Sequence, residues 1–325
     1  MTGWPTAGGP GRREKADLSR LSGVPVELVG VSRWYGNVVA VNEITFSLTP
    51  GVTGLLGPNG AGKSTLLSMI AGLLPPSTGV VAVDGRPAWR DPSIYRRVGL
   101  VPERENLPGY LTGRGFVEYA ARLHRMPDPR GSAAEAVRAV ALEDAADRSI
   151  SGYSKGMRQR IKVAAALVHD PAILVLDEPF NGMDPRQRLH MMGLLRSMAS
   201  EGRTILFSSH ILEEVERLGE RILVVVAGRL AASGDYREIR RLMTDRPHNF
   251  TVRSSDVRRL AAALLTEESV FGVEVGSSGL AARSADYGGF ARSIALIARS
   301  AGVSLFEVVP TDESLESVFS YLVRR

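Results

Sequence analysis

The chain has 325 residues, 44% of them hydrophobic and 23% charged, and carries no cysteine. That length allows two domains with a sizeable core, and the missing thiols exclude disulfides, thiolate catalysis and cysteine-based zinc sites, in keeping with a reducing compartment. The formal charge of +5 is spread along the chain apart from short groups such as Arg237, Arg240 and Arg241, so no nucleic-acid partner is expected.

Residues 1–24 are rich in Gly, Pro and Arg and lack the apolar centre of a secretory signal, which predicts a disordered tail. From Val26 to about Ile239, short β-branched runs alternate with helical stretches, the pattern of a parallel sheet flanked by helices and hence of the α/β class. Strands are predicted at 27–31, 52–56, 80–83, 98–101, 172–176, 204–208 and 222–226, several of them apolar throughout, as sheet-centre strands are. None of these runs approaches the roughly 18 residues that span a bilayer. Between about 91 and 170 the chain turns mostly helical, with helices at 116–126, 133–140 and 157–169, and is predicted to form an inserted subdomain. Ser132 with Glu135 reads as a capping box, and Asp184 before Pro185 as an N-cap with proline in the first helical position. Met191, Met192 and Met198 share one predicted helix and read as core packing. The first domain is expected to end near residue 242. A small α+β domain is expected over 247–325, with strands at 250–253, 270–275, 280–284 and 304–309, helices at 257–265 and 290–301, and a last helix from Leu315.

Three features carry chemistry. Gly57-Pro58-Asn59-Gly60-Ala61-Gly62-Lys63-Ser64 matches G-x-x-x-x-G-K-[ST] between a predicted strand and a helical run at 65–73. Backbone amides of such a turn, at a helix N-terminus, offer donors and a positive dipole to phosphate; Lys63 adds a point charge and Ser64 a hydroxyl for Mg²⁺. Lysine is scarce here, with only Lys15, Lys63, Lys155 and Lys162, which makes a chance match less frequent. Residues 173–176 then lead into Asp177-Glu178, two carboxylates at the C-terminal end of an apolar strand, beside the crevice where a phosphate loop lies. Asp177 can serve the metal, and Glu178 can orient and deprotonate water. Finally, Ser154 and the Gly156 amide open a predicted helix and form a second anion site.

Taken in order, these segments resemble the ATP-binding cassette family over about residues 26–234. Gly57 to Ser64 and Asp177-Glu178 correspond to its Walker A and Walker B motifs. Tyr153-Ser154-Lys155-Gly156-Met157 is similar to its signature in the form found in drug, sodium and polysaccharide exporters, Asn181-Gly182-Met183-Asp184 to its D-loop, and His210 to its switch histidine. The resemblance implies a P-loop ATPase fold with an inserted helical subdomain, acting on ATP with Mg²⁺. It also implies a second ATP-binding subunit, as a homodimer with ATP sandwiched between Lys63 of one copy and Ser154 of the other. The implied partner is a separate integral membrane permease of the exporter type, with this chain on the cytoplasmic face of the cell membrane. Glu178 and His210 are then the catalytic pair. Gly57, Asn59, Gly60, Ala61, Gly62, Lys63, Ser64, Thr65, Glu103, Ser154, Gly156 and Asp184 contact nucleotide, and Ser64, Asp177 and Glu103 contact the metal. Tyr35 resembles the aromatic that stacks on adenine, with Trp34 as the competing candidate. Glu103 stands where the family typically has glutamine, and Met157 where the signature often has glutamine; neither removes the ATPase groups. The alternative, a cassette ATPase acting on ribosomes or nucleic acid, fits less well with a single cassette and no cysteine.

Overall fold

The structure is a computed structural model and describes residues 23–104, 107–235, 248–276, 279–311 and 319. The expected N-terminal tail, apart from its last two residues, the basic group at 237–241 and most of the expected last helix lie outside the described residues. Two compact units are formed, by residues 1–231 and by residues 232–325.

The first unit contains two sheets. One is antiparallel, with β1 (Val26–Tyr35) between β2 (Val38–Leu48) and β4 (Thr78–Val83), and β5 (Arg86–Pro87) outside β4. The other has six strands. In spatial order they are β10 (Arg229–Gly234), β9 (Arg221–Val226), β3 (Gly51–Leu56), β8 (Thr204–Ser209), β7 (Ile173–Asp177) and β6 (Val98–Val101). The pairs β9–β3, β3–β8, β8–β7 and β7–β6 are parallel. Every residue of β3, β7 and β8 is buried, which is why these strands read as continuous apolar runs rather than alternations. The α/β class stands, but the predicted strands at 27–31 and 80–83 belong to the antiparallel sheet and not to the parallel one. The strand β2, the hairpin partner of β1, escaped prediction: Val38 and Val39, paired with Tyr35 and Trp34 next to the turn, are apolar yet exposed, and they blur the alternation.

Several helices start where short polar side chains cap them. Thr112 caps α2 (Gly113–Leu123), Ser154 caps α4 (Lys155–Leu167) and Asp184 caps α5 (Pro185–Ser200), each by accepting a first-turn amide. The expected Ser132–Glu135 capping box does not form. Asp128 accepts from the Gly131 amide at 3.0 Å and Pro129 takes the first helical position, so α3 (Pro129–Ala139) begins about a turn earlier and Ser132 falls inside it. Helices α2, α3 and α4 pack on one another as a helical insertion. Met191, Met192 and Met198 of α5 are all buried, as core residues. A short helix, α6 (Leu212–Leu218), follows β8.

The second unit is an antiparallel sheet in the order β12 (Val270–Val275), β13 (Leu280–Ser284), β11 (His248–Ser254), β14 (Leu305–Pro310). Two helices, α7 (Val257–Leu264) and α8 (Tyr287–Ser300), follow β11 and β13 in the chain and give a βαββαβ order. Its core joins Phe250, Val252, Leu280 and Ala282 from the strands to Leu260, Leu264, Phe290 and Ile294 from the helices. The Phe250 and Phe290 rings stack with centroids 4.3 Å apart.

Candidate active site

β3 ends in the middle of the parallel sheet, and the chain must turn there into α1 (Lys63–Ile70). The turn is built from glycine for steric reasons. At Gly62, φ is +101° and a Cβ would lie 2.2 Å from the Ala40 carbonyl oxygen; at Gly57 a Cβ would lie 2.3 Å from the Val225 carbonyl oxygen. Gly62 is also the N-cap of α1 and brings no capping side chain, so the first-turn amides and the positive end of the helix dipole are directed to the loop. Lys63 is buried and folds back, donating from Nζ to the carbonyls of Gly57 (2.7 Å) and Pro58 (3.2 Å). Burial lowers its pKa, while Glu178, Asp177 and Glu103 act in the opposite direction.

The parallel register brings the strand ends together: Asp177 of β7 pairs with Ser208 of β8, and Leu56 of β3 with Ser209. Ser208, fully buried, donates from Oγ to Asp177 Oδ1 at 2.5 Å and accepts the Glu178 amide at 2.9 Å. Glu178 itself has φ +51°, a left-handed conformation uncommon for a residue with a side chain. That conformation is held by the Ser208 bond to its amide and by Gln159, whose Nε2 donates to the Glu178 carbonyl at 3.2 Å. His210 Nδ1 lies 2.9 Å from both carboxylate oxygens of Glu178. A proton on Nδ1 makes this contact a hydrogen bond donated by the imidazole to the carboxylate.

Behind His210, Ser209 Oγ accepts the Ile211 amide and donates to Glu214 Oε2 at 2.6 Å, and Glu214, on α6, forms an ion pair with Arg188 of α5 at 3.3 Å. Burial raises the pKa of Glu214, against the Ser209 hydrogen bond and the Arg188 charge, which favour its ionised form. This chain of contacts links the helix that begins at Asp184 to the loop that carries His210.

A cleft of about 400 Å³ gathers Asn59, Gly60, Ala61, Gly62, Lys63, Ser64, Thr65, Glu103, Asp177 and Glu178. Gly57 closes the loop beneath through its bond to Lys63, and His210 joins through Glu178. The other predicted residues do not line this cleft. Tyr35 and Trp34, at the end of β1, are 46% and 43% exposed, with the Arg33 guanidinium 4.7 Å from the Tyr35 ring centroid. Ser154 caps α4 and Asp184 caps α5, at 3.2 Å and 2.8 Å respectively. Gly156 lies against the D-loop segment, where a Cβ would meet the Gly182 carbonyl oxygen at 2.7 Å. Sequence reasoning assigned no role to Ser208, Ser209, Gln159, Lys162, Glu214 or Arg188. The visible signal was Ser208-Ser209, two adjacent hydroxyls that follow the apolar run Ile205-Leu206-Phe207 at the end of its strand.

A backbone cradle that side chains would fill, a buried ammonium, and the hard oxygen donors of Ser64, Asp177 and Glu103 together suit a triphosphate with Mg²⁺. Residues 41–181 match the family model described as ABC transporter. Over 224 residues the chain is 40% identical to "Nod factor export ATP-binding protein I" of Burkholderia orbicola (strain AU 1054), which covers 66% of this chain and 72% of that protein. The chain belongs to the ABC transporter family. Among solved structures, the dimeric structure of MJ0796, a bacterial ABC transporter cassette, superposes with a TM-score of 0.60 at 27% identity, covering 64% of this chain and 97% of that one. The post-hydrolysis state of the same cassette bound to ADP and Pi matches equally, with a TM-score of 0.60. The chain is thus an ABC ATPase, the nucleotide-binding subunit type of these transporters. A ribosomal or nucleic-acid role finds no support among these relatives.

Proposed function

We propose that this ABC ATPase drives export through a separate membrane permease, with hydrolysis carried by Glu178. The observation behind this reading is the placement of Glu178 at the end of β7, in the phosphate-loop cleft, with both carboxylate oxygens held by His210. A carboxylate fixed in this way accepts a proton from water in one orientation only. Lys63 and the α1 amides bind and orient the phosphates. Ser64, Asp177 and Glu103 would hold Mg²⁺, which neutralises phosphate charge when bound and takes its remaining ligands from phosphate and water. Tyr35 would stack on the adenine.

The cleft leaves one side of the phosphates uncovered by Ser154, Gly156 and Asp184, which sit at helix starts outside it. A second copy, presenting its Ser154 and Gly156, completes the site, and the dimeric state of MJ0796 supports that arrangement. The export assignment is supported by the function named for the Burkholderia relative. Among the described residues no helix is long and apolar enough to cross a membrane, so the pathway through the bilayer is assigned to the permease. A cavity of about 770 Å³ between the parallel sheet and the helical insertion, lined by Tyr95, Leu100, Glu103, Leu107 and Phe116, is where that partner would dock.

Steady-state ATP hydrolysis and nucleotide binding test the reading. Glu178→Gln is expected to lower turnover by about two to three orders of magnitude with ATP still bound; unchanged turnover removes Glu178 from the mechanism. Tagged and recovered from native membranes in mild detergent, the same variant is expected to copurify a polytopic membrane protein at near-equal stoichiometry, whereas ribosomal proteins in its place would overturn the export assignment.

A further inference from the structure

Lysine is used sparingly in this chain, and Lys162 is buried, with 6% of its surface exposed. An ammonium is placed there at a desolvation cost that hydrogen bonds must offset. It lies on α4, two turns after the Ser154 cap, and its Nζ donates to the backbone carbonyls of Pro102 (2.8 Å) and Glu103 (3.3 Å) at the exit of β6. One turn earlier on the same helix, Gln159 donates to the Glu178 carbonyl. Residues three apart share a helix face, so a single face of α4 grips both segments that carry the acidic groups of the cleft.

We propose that Lys162 is a positioning residue of the ATPase reaction, holding the Glu103 segment so that its carboxylate faces the Ser64–Asp177 metal position and tying it to the helix that starts at Ser154. The proposal rests on the ATPase reading above. Physically, two carbonyls gripped by one charged donor remove the freedom of the Pro102–Glu103 peptide, and a charge-assisted hydrogen bond is about twice as strong as a neutral one. The point charge also lies beside an acidic residue, Glu103, at the position where the family resemblance leads one to expect a neutral glutamine. A displacement of Ser154 would reach Glu103 along about 12 Å of continuous helix, at 1.5 Å per residue.

The test uses the full chain with Lys162→Met and Lys162→Arg. In nucleotide-free protein, Lys162→Met is expected to raise amide hydrogen exchange of the segment 101–104 by about tenfold while β7 stays protected. In ATPase assays it is expected to raise the Mg²⁺ concentration for half-maximal rate by about tenfold, as loss of a residue supporting a metal ligand does, with Mg²⁺-free nucleotide affinity retained and Lys162→Arg partly restoring both. In a Glu103→Ala background, Lys162→Met should no longer move the Mg²⁺ requirement. An unchanged Mg²⁺ requirement, the same shift without Glu103, or exchange raised throughout the first unit in both variants would each overturn the proposal. Absence of turnover in the wild-type chain would instead refute the ATPase reading, and the exchange measurement would still report what Lys162 holds.

Discussion

The parallel sheet of the first unit and the four-stranded sheet of the second bury themselves in different ways. In the first, β3, β7 and β8 are buried along their whole length, and the charged groups and serine hydroxyls stand at the C-terminal strand ends, where Ser208 joins Asp177 and Glu178 and Ser209 joins Glu214 by hydrogen bonds. In the second, β13 alternates strictly between buried and exposed, one face packs on α7 and α8, and charged residues such as Arg253, Arg283 and Glu307 stand on exposed positions. A sheet covered on both sides concentrates chemistry at its edge, whereas a sheet covered on one side stabilises itself by packing alone.

The sharpest break of that contrast is Gly62→Ala. The backbone there is left-handed and the new methyl would collide with the Ala40 carbonyl, so equilibrium binding of a fluorescent ATP analogue is expected to weaken by at least about a hundredfold, the loop having to move to relieve the strain. Binding within a factor of two of wild type would show that the cradle tolerates what its geometry forbids. Phe290→Ala strikes the other region, where the loss of a stacked core ring is expected to cost about 3–5 kcal/mol in unfolding of the second unit. Nucleotide affinity at the first should be retained; loss of affinity together with stability would mean the two regions are not energetically separate.

The smallest effect concerns the wall of the larger cavity. His124 and His169 stack there with centroids 3.7 Å apart, and burial, with His124 as the second cause, pushes the His169 pKa from 6.5 down to about 4. Folded His169 resists protonation that the unfolded chain accepts, so stability is full above about pH 6.5 and declines as pH falls towards 4. Thermal unfolding followed across that window should lose less stability in His169→Phe, by about 1 kcal/mol after allowance for partial solvent access. Identical pH slopes for the two proteins would show that the imidazole is not what titrates.

Much of this molecule was legible in its sequence because the informative features are local. The phosphate loop needs glycine at fixed spacing, the Asp184 cap has its proline beside it, and a fully buried strand reads as a mostly apolar run. The sequence misled where local signals compete. Ser132–Glu135 satisfied the capping pattern, but Asp128, which accepts the Gly131 amide, and Pro129 start the helix about a turn earlier and leave Ser132 inside it. Residues 27–31 read as parallel-sheet strand, since apolar content does not say which sheet a strand joins.

Composition and motif spacing by themselves determined that the chain binds nucleotide, that its carboxylates stand at a strand end, and that a helical insertion separates them from the loop. Only the tertiary structure decided that Ser208 orients Asp177 and braces the Glu178 backbone, that His210 faces Glu178, and that Lys162 reaches the carbonyls of Pro102 and Glu103. These contacts span 30 to 60 residues of chain. They depend on strand order and register, which follow from how apolar faces pack against one another, and no short segment of sequence carries that information.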